Sequence, residues 1–133
     1  MKLNTTSQYA IRIMTHIAQN HDSNKLFKAK KISEQLDIPY KYLTAIMTQL
    51  SEANIIISTR GRDGGYSIAK DPTAIYLKDI LLAVKECLHG NDCVLGIGLC
   101  QEDKKCALHD RWTVPKKNIL EMFKDTTLYD LTI

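Results

Sequence analysis

The spacing of apolar residues in the first part of the chain predicts three helices. The first helix runs from about Ser7 to Gln19 with Thr5 or Thr6 as its cap, and its apolar face comprises Ala10, Ile13, Met14 and Ile17. A short second helix is predicted for the segment KAKKISEQL. The segment DIPYKYLTAIMTQLSEAN predicts the third helix, in which Pro39 takes the first helical position and the buried face comprises Leu43, Ile46, Met47 and Leu50.

The pattern after the third helix predicts a β-hairpin. A β-branched strand from Ile55 to Thr59 is followed by the glycine-rich turn RGRDGG and by a second strand from Tyr66 to Ala69. Since the second and third helices are separated by only three or four residues, they form a helix-turn-helix. The hairpin after this pair gives a winged helix-turn-helix. The expected fold class is therefore mainly α with a small β-hairpin.

A winged helix of this kind indicates DNA binding. The second helix of the motif enters the major groove, and the wing lies over the adjacent backbone or minor groove. Residues outside the buried face of the third helix, arginines at the wing tip and lysines near the start of the second helix have suitable chemistry and positions. The expected contacts are Lys28, Lys30, Tyr40, Lys41, Tyr42, Thr44, Thr48, Arg60 and Arg62. Solvent exposure alone would also explain the lysines.

The charge distribution supports a polyanionic partner for the first half of the chain. Residues 1–70 contain ten Lys and Arg against five Asp and Glu, whereas residues 71–133 contain eight against ten. The formal net charge of +3 therefore hides a basic half of net charge +5.

The second half of the chain predicts two further helices separated by a loop. After the break at Asp71-Pro72, an apolar face is formed by Leu77, Ile80, Leu81, Val84 and Leu88. Cys87 within this helix is interpreted as a small structural residue. A long C-terminal helix carries Leu108, Trp112, Ile119 and Phe123, and TTLYDL closes the chain with a capped turn. This long helix is a candidate dimerisation surface, although it could also pack on its own winged domain.

The segment CVLGIGLCQEDKKCALH is the main candidate for chemistry. It holds three of the four cysteines with the spacing C-x6-C-x5-C-x2-H, from Cys93 through Cys100 and Cys106 to His109. Thiolates and imidazole suit zinc or an iron–sulfur cluster. A nucleophilic cysteine is a poorer interpretation, because no oxyanion loop or base-orienting pair accompanies it. The spacing alone does not decide between the two metal sites.

Several other classes of protein are disfavoured by the sequence. The N-terminal stretch has no unbroken apolar run, so a signal peptide or membrane span is not expected, and we expect a cytoplasmic protein in which clustered cysteines are ligands or redox groups. Paired carboxylates, a P-loop and a dinucleotide fingerprint are not found, which argues against an enzyme.

Essentially the whole chain resembles the Rrf-two family of bacterial transcription regulators, the group that includes IscR and NsrR. The matching segments are MKLNTTSQYAIRIM, KISEQLDIPYKYLTAIMTQLSEANII, STRGRDGGY and CALHDRW. The resemblance implies a homodimer that binds a palindromic operator and carries an iron–sulfur cluster. Cys93, Cys100 and Cys106 match the family's thiolate ligands, and His109 matches the histidine that completes the 2Fe-2S site in the IscR branch. A 4Fe-4S cluster is the alternative form.

This resemblance sets the expected function and domain organisation. We expect a repressor that responds to redox, nitric oxide or iron–sulfur status; the alternative is a zinc-stabilised winged-helix protein that binds DNA or another protein and has no sensing cluster. Residues 1–76 are expected to form the DNA-binding domain. Residues 77–133 are expected to provide the cluster loop, at about residues 90–109, and the dimerisation helix, integrated with the first domain.

Three features of the chain depart from the family pattern, and Gln8 bears on the choice of the fourth ligand. The first cysteine interval is six residues where IscR has five, and Thr44 replaces a glutamate that IscR uses in discriminating between DNA sites. The aspartate that NsrR-like proteins use near the start of the first helix corresponds to Gln8, which favours His109 as the fourth ligand. Pro115 falls within the long helix and is expected to kink it or delay its start.

Overall fold

The computed structural model describes residues 3–20, 25–86 and 107–132. In chain order, its elements are α1 (Thr5–Gln19), α2 (Ala29–Leu36), α3 (Tyr40–Glu52), β1 (Ile56–Thr59), β2 (Gly65–Ile68), a short 3-10 helix (Pro72–Ala74), α4 (Leu77–Ala83), α5 (His109–Asp125) and a second 3-10 helix (Tyr129–Thr132). The order of helices and hairpin confirms the predicted winged helix-turn-helix. The predictions for Cys87, Leu88, Cys93, Cys100 and Cys106 lie outside the described residues.

The first helix begins earlier than the sequence predicts. Asn4 is its N-cap, and the side-chain oxygen of Asn4 accepts a hydrogen bond from the backbone N–H of Ser7 at 2.8 Å. Thr5 and Thr6 lie inside the helix, so the prediction that one of them is the cap was wrong. All three residues are good or acceptable caps, and the helix gains a further half-turn by using the first of them.

The helix-turn-helix is built around the apolar face predicted for α3. Leu43, Ile46, Met47 and Leu50 are all buried. The turn from α2 to α3 passes through Asp37, which has a left-handed backbone (φ 53°), and Pro39 is the N-cap of α3 rather than its first helical residue. The Arg12 side chain donates to the Leu36 carbonyl at 2.7 Å, which ties α1 to the end of α2. The motif is therefore held by core packing and by this hydrogen bond.

The wing is an antiparallel hairpin with a third short partner. β1 and β2 pair in the register Ile56↔Ile68 to Thr59↔Gly65, one residue away from the predicted strand limits. Phe27, just before α2, forms an isolated bridge with Tyr66, and each backbone N–H donates to the other residue's carbonyl at 2.8 Å. Because Tyr66 is the second residue of β2, this bridge joins the wing, next to its turn, to the segment that leads into α2.

The C-terminal helix returns to the same hydrophobic core as the winged helix. Phe123 near the end of α5 and Leu128 beyond it are buried in that core, and the backbone of Leu128 donates to the Ile75 carbonyl at 2.7 Å. Pro115 lies inside α5, which begins at His109, so the prediction of a delayed helix start was wrong. The chain then forms the predicted final turn, in which Thr127 and Asp130 cap each other.

Candidate nucleic-acid interface

The face of α3 that points away from the core carries the residues predicted to contact DNA. Tyr40 and Tyr42 are 55% and 63% exposed, and Lys41 is exposed as well. Thr48 is exposed and Thr44 is half-buried, and their hydroxyls donate at 3.0 Å to the carbonyls of Thr44 and Lys41 respectively. Because both threonine hydroxyls donate within the helix, their oxygens can accept hydrogen bonds from a ligand. The hydroxyls of Tyr40 and Tyr42 and the ammonium of Lys41 can donate hydrogen bonds to it.

The wing tip presents two exposed arginines on a turn that depends on glycine. Arg60 and Arg62 are both exposed. A Cβ atom at Gly64 would lie 2.0 Å from the Thr59 carbonyl oxygen, and one at Gly65 would lie 2.7 Å from the Phe27 carbonyl oxygen. Because both obstacles are backbone atoms, the hairpin can close and pair with Phe27 only when these positions lack side chains.

The three lysines at the start of α2 have different surroundings. Lys30 and Lys31 lie exposed on the helix. Lys28 is the N-cap residue, and its ammonium donates to the carbonyl of Arg62 at 3.0 Å and to the carbonyl of Gly64. The structure therefore gives the Lys28 ammonium partners in the turn of the wing.

A polar contact that the sequence analysis did not foresee joins the start of α1 to the end of α4. The buried Ser7 hydroxyl donates to the Glu86 carboxylate at 3.0 Å, and the Asn4 side-chain amide donates to the same oxygen. We call Asn4, Ser7 and Glu86 the α1–α4 junction. One signal was available: Ser7 lies three and seven residues before the buried Ala10 and Met14, so it shares their face and requires a partner.

The end of α4 is fixed by its backbone as well as by the junction. Lys85 has a left-handed backbone (φ 60°), and its N–H donates to the Leu82 carbonyl at 3.1 Å. The N–H of Glu86 donates to the Leu81 carbonyl at 2.9 Å. These two hydrogen bonds form a Schellman motif, which usually contains glycine where this chain has Lys85.

Of the four predicted cluster ligands, only His109 lies within the described residues. It is the first residue of α5 and is half-buried. Cys93, Cys100 and Cys106 lie outside them, and the described part of the chain contains no group of three or more His, Cys, Asp or Glu side chains that could hold a metal. Gln8, which stands where NsrR-like members have a ligand, donates its side-chain amide to the Leu3 carbonyl at 2.7 Å.

Comparison with known proteins identifies the family of this chain. Residues 3–132 match the model of the family described as Rrf2, iron-dependent transcriptional regulator. The chain belongs to the Rrf2 family of transcriptional regulators. The resemblance deduced from the sequence is thus confirmed. Rrf2 proteins of the helix-turn-helix type bind DNA and are not enzymes, which also confirms the expectation that this chain is a regulator without catalytic activity.

Named Rrf2-type relatives and a solved structure agree with this assignment. The chain is 32% identical to a helix-turn-helix-type transcriptional regulator of Aquifex aeolicus, over 98% of this chain and 91% of that protein. It is 30% identical to the regulator IscR of Vibrio campbellii, over 98% of this chain and 77% of IscR. The structure of CymR, the global cysteine regulator of B. subtilis, is similar with a TM-score of 0.81 and 26% identity, over 99% of this chain and 96% of CymR.

One further finding concerns membranes. Among residues 3–20, 25–86 and 107–132, no helix has the length and apolar character needed to span a bilayer.

Proposed function

We propose that this Rrf2 protein is a cytoplasmic, iron–sulfur-dependent repressor that binds a palindromic operator as a homodimer. Residues 1–76 would bind DNA, and residues 77–133 would hold the cluster and the dimer contact. The observation that carries the proposal is the position of α5. His109 begins this helix, and Phe123 near its other end is buried in the core of the winged helix. A change at the ligands therefore has a direct structural route to the DNA-binding unit.

The donor set fits an iron–sulfur cluster. Cys93, Cys100 and Cys106 would supply three thiolates and His109 an imidazole, a combination that iron–sulfur clusters and zinc both accept. The family description as iron-dependent and the 30% identity to IscR favour iron. A bound cluster, which we propose is of the 2Fe-2S type, would supply a group whose oxidation state or loss signals redox conditions, nitric oxide or iron–sulfur status.

The exposed apolar side of α5 supports a homodimer. Leu108 and Met122 are 39% and 49% exposed, and Trp112 and Ile119, which share their helical face, are half-buried. Within the 17 residues of α5 only Phe123 is buried. A helix with so little of its apolar face covered by its own chain gains stability when a second copy covers the rest. Pairing through α5 would present two α3 helices to two half-sites.

The deciding experiment is anaerobic purification followed by visible absorption spectroscopy and analysis for iron, sulfide and zinc. Visible absorbance with iron and sulfide in comparable amounts is the expected result, and DNA affinity should then differ between protein with and without the cluster. A colourless protein with one zinc per chain would refute the sensing mechanism and would make the segment from Cys93 to His109 a structural site. Size-exclusion chromatography with light scattering tests the dimer.

The likeness to CymR supports a second candidate, a regulator that responds to cysteine supply and has no cluster. CymR superposes on this chain with a TM-score of 0.81. This candidate predicts that anaerobically purified protein lacks iron, sulfide and zinc yet binds DNA. The same metal analysis therefore distinguishes all three cases.

DNA binding itself is tested by its salt dependence. Neutralisation of phosphates by Lys and Arg predicts that log affinity falls with log salt concentration by about 0.9 for each phosphate contacted. A protein that used the winged helix only to bind another protein would show no such dependence.

A further inference from the structure

Two sets of hydrogen bonds join the turn end of the wing to the segment at the start of α2. Next to the turn, Tyr66, the second residue of β2, exchanges two backbone hydrogen bonds of 2.8 Å with Phe27. At the tip of the wing, the Lys28 ammonium donates to the carbonyls of Arg62 and Gly64, which lie on either side of Asp63. Only Gly65 separates Tyr66 from the Gly64 carbonyl, so the two contacts are neighbours at the turn end of the hairpin. The Phe27 contact fixes β2 as far as Tyr66, and the Lys28 ammonium holds the turn itself to the start of α2.

Lys28 is an unfavourable residue for the N-cap of α2. Lys28 is the N-cap of α2, yet its side chain makes no capping hydrogen bond. A cation at a helix N-terminus is also disfavoured by the helix dipole, and asparagine, aspartate or serine would cap the helix better. The lysine is thus unfavourable for its own helix, while its three donors and long stem suit the two carbonyls of the wing turn.

The contact reaches the wing residues that are predicted to contact DNA. Lys28 binds the carbonyl of Arg62 itself, and Arg60 lies two residues earlier in the same exposed turn. The turn is closed by a 3.0 Å hydrogen bond from the Gly64 N–H to the Gly61 carbonyl, which links its two sides. Holding the carbonyl side of this turn therefore restricts the directions in which both arginines can extend.

We propose that Lys28 is a positioning residue for the wing: its ammonium holds the wing tip against the start of α2, and so orients Arg60 and Arg62 for DNA, instead of neutralising a phosphate itself. The proposal rests on DNA binding by the winged helix. It assigns different roles to neighbouring lysines, because Lys30 is exposed on α2 and remains a candidate phosphate contact.

The first test needs no DNA. Lys28→Met removes the ammonium and keeps a long side chain, and Lys30→Met is the matched control on the same helix. Hydrogen exchange of the wing amides in residues 59–66 should be faster in Lys28→Met and unchanged in Lys30→Met. Equal exchange in the two variants would overturn the positioning role. Lys28→Arg, which keeps a donor, should restore slow exchange and serves as the second variant if Lys28→Met does not fold.

The second test is a double-mutant cycle on DNA affinity. The probe is a fluorescein-labelled duplex that the wild-type protein selects from a randomised pool. We expect Lys28→Met to weaken binding by about tenfold in the wild-type background and by less than about twofold when Arg60 and Arg62 are both alanine, because residues that act as one unit are not additive. In that double-alanine background Lys28→Met should leave the salt slope unchanged, whereas Lys30→Met should lower it by about 0.9.

Two outcomes would count against the proposal in different ways. Additive losses, with a salt slope that falls by about 0.9 for Lys28→Met in both backgrounds, would identify Lys28 as a phosphate contact and refute only its positioning role. Failure of the wild-type protein to select any duplex would refute DNA binding and the positioning role together.

Discussion

Replacing Ser7 by alanine tests the α1–α4 junction. The Ser7 side chain is fully buried, and its hydroxyl donates to the Glu86 carboxylate at 3.0 Å. A hydrogen bond to a charged group contributes about 1.5–3 kcal/mol to the free energy of unfolding. The lower part of this range applies, because Glu86 is half-buried and keeps the Asn4 amide as a partner. Alanine also improves helix propensity by about 0.5 kcal/mol.

We therefore expect Ser7→Ala to lower the free energy of unfolding by about 1 kcal/mol, which corresponds to a fall in Tm of about 3–5 °C for a chain of this size. The measurement is urea unfolding at a fixed protein concentration, since any dimer would make stability depend on concentration. Gln19→Ala, at an exposed position near the other end of α1, is the control and should change stability by less than about 0.5 kcal/mol.

A double-mutant cycle separates the junction from a general effect of the substitution. If the hydroxyl acts through the carboxylate, Ser7→Ala should cost much less in a Glu86→Ala background, with a coupling energy of about 1 kcal/mol. Equal losses in both backgrounds would refute the reasoning, because the Ser7 hydroxyl would then stabilise the fold by some other contact. Unchanged stability in the single variant would refute it as well.

Three further substitutions test separate features of the chain. Lys85→Gly should raise the free energy of unfolding by about 0.5 kcal/mol, since glycine adopts the left-handed backbone at φ 60° without steric cost; a lower urea midpoint would contradict this. Gly64→Ala should destabilise the wing by about 1–3 kcal/mol in thermal unfolding and weaken DNA binding, because the new Cβ would lie 2.0 Å from the Thr59 carbonyl oxygen; an unchanged Tm would contradict this. His109→Ala should labilise the proposed cluster, and a visible spectrum equal to that of wild-type protein would remove His109 from the ligands.

The helix-turn-helix was predictable because its determinants are local. The apolar spacing of α3 requires one buried face, and Leu43, Ile46, Met47 and Leu50 take that face in the structure. Once the buried face is known, the exposed face follows from helix geometry. The hairpin was predictable for the same reason, since β-branched residues flank a glycine-rich turn, although its strand limits shifted by one residue.

The N-cap of α1 and the partner of Lys28 were not predictable, because each depends on residues distant in sequence. Asn4, Thr5 and Thr6 are all suitable caps by type, and Asn4 is additionally tied to Glu86, 82 residues along the chain. Lys28 reads as a solvated or phosphate-binding lysine from its helix alone, and its contact with the Arg62 carbonyl spans 34 residues. Local patterns give the face on which a side chain lies, and only the packed structure gives its partner.

The stretch of sequence with the predicted thiolate ligands lies between Glu86 and His109, and both of these residues belong to parts of the chain that are joined to the core. On one side, Glu86 is bonded to Asn4 and Ser7 at the start of α1, and α1 packs directly against α3. On the other side, α5 leads from His109 to its C-cap Thr126, whose carbonyl accepts a 3.0 Å hydrogen bond from the N–H of Leu77. The ligand segment is therefore anchored at both ends.

Under the proposed function, ligand binding between these two anchors would act on α1 and α5 together. A shift of α5 would alter the separation of two recognition helices in a dimer, and a shift of α1 would alter the seating of α3 within each subunit. Operator affinity depends on both quantities, so two anchored ends couple the ligands to DNA more strongly than one anchored end would.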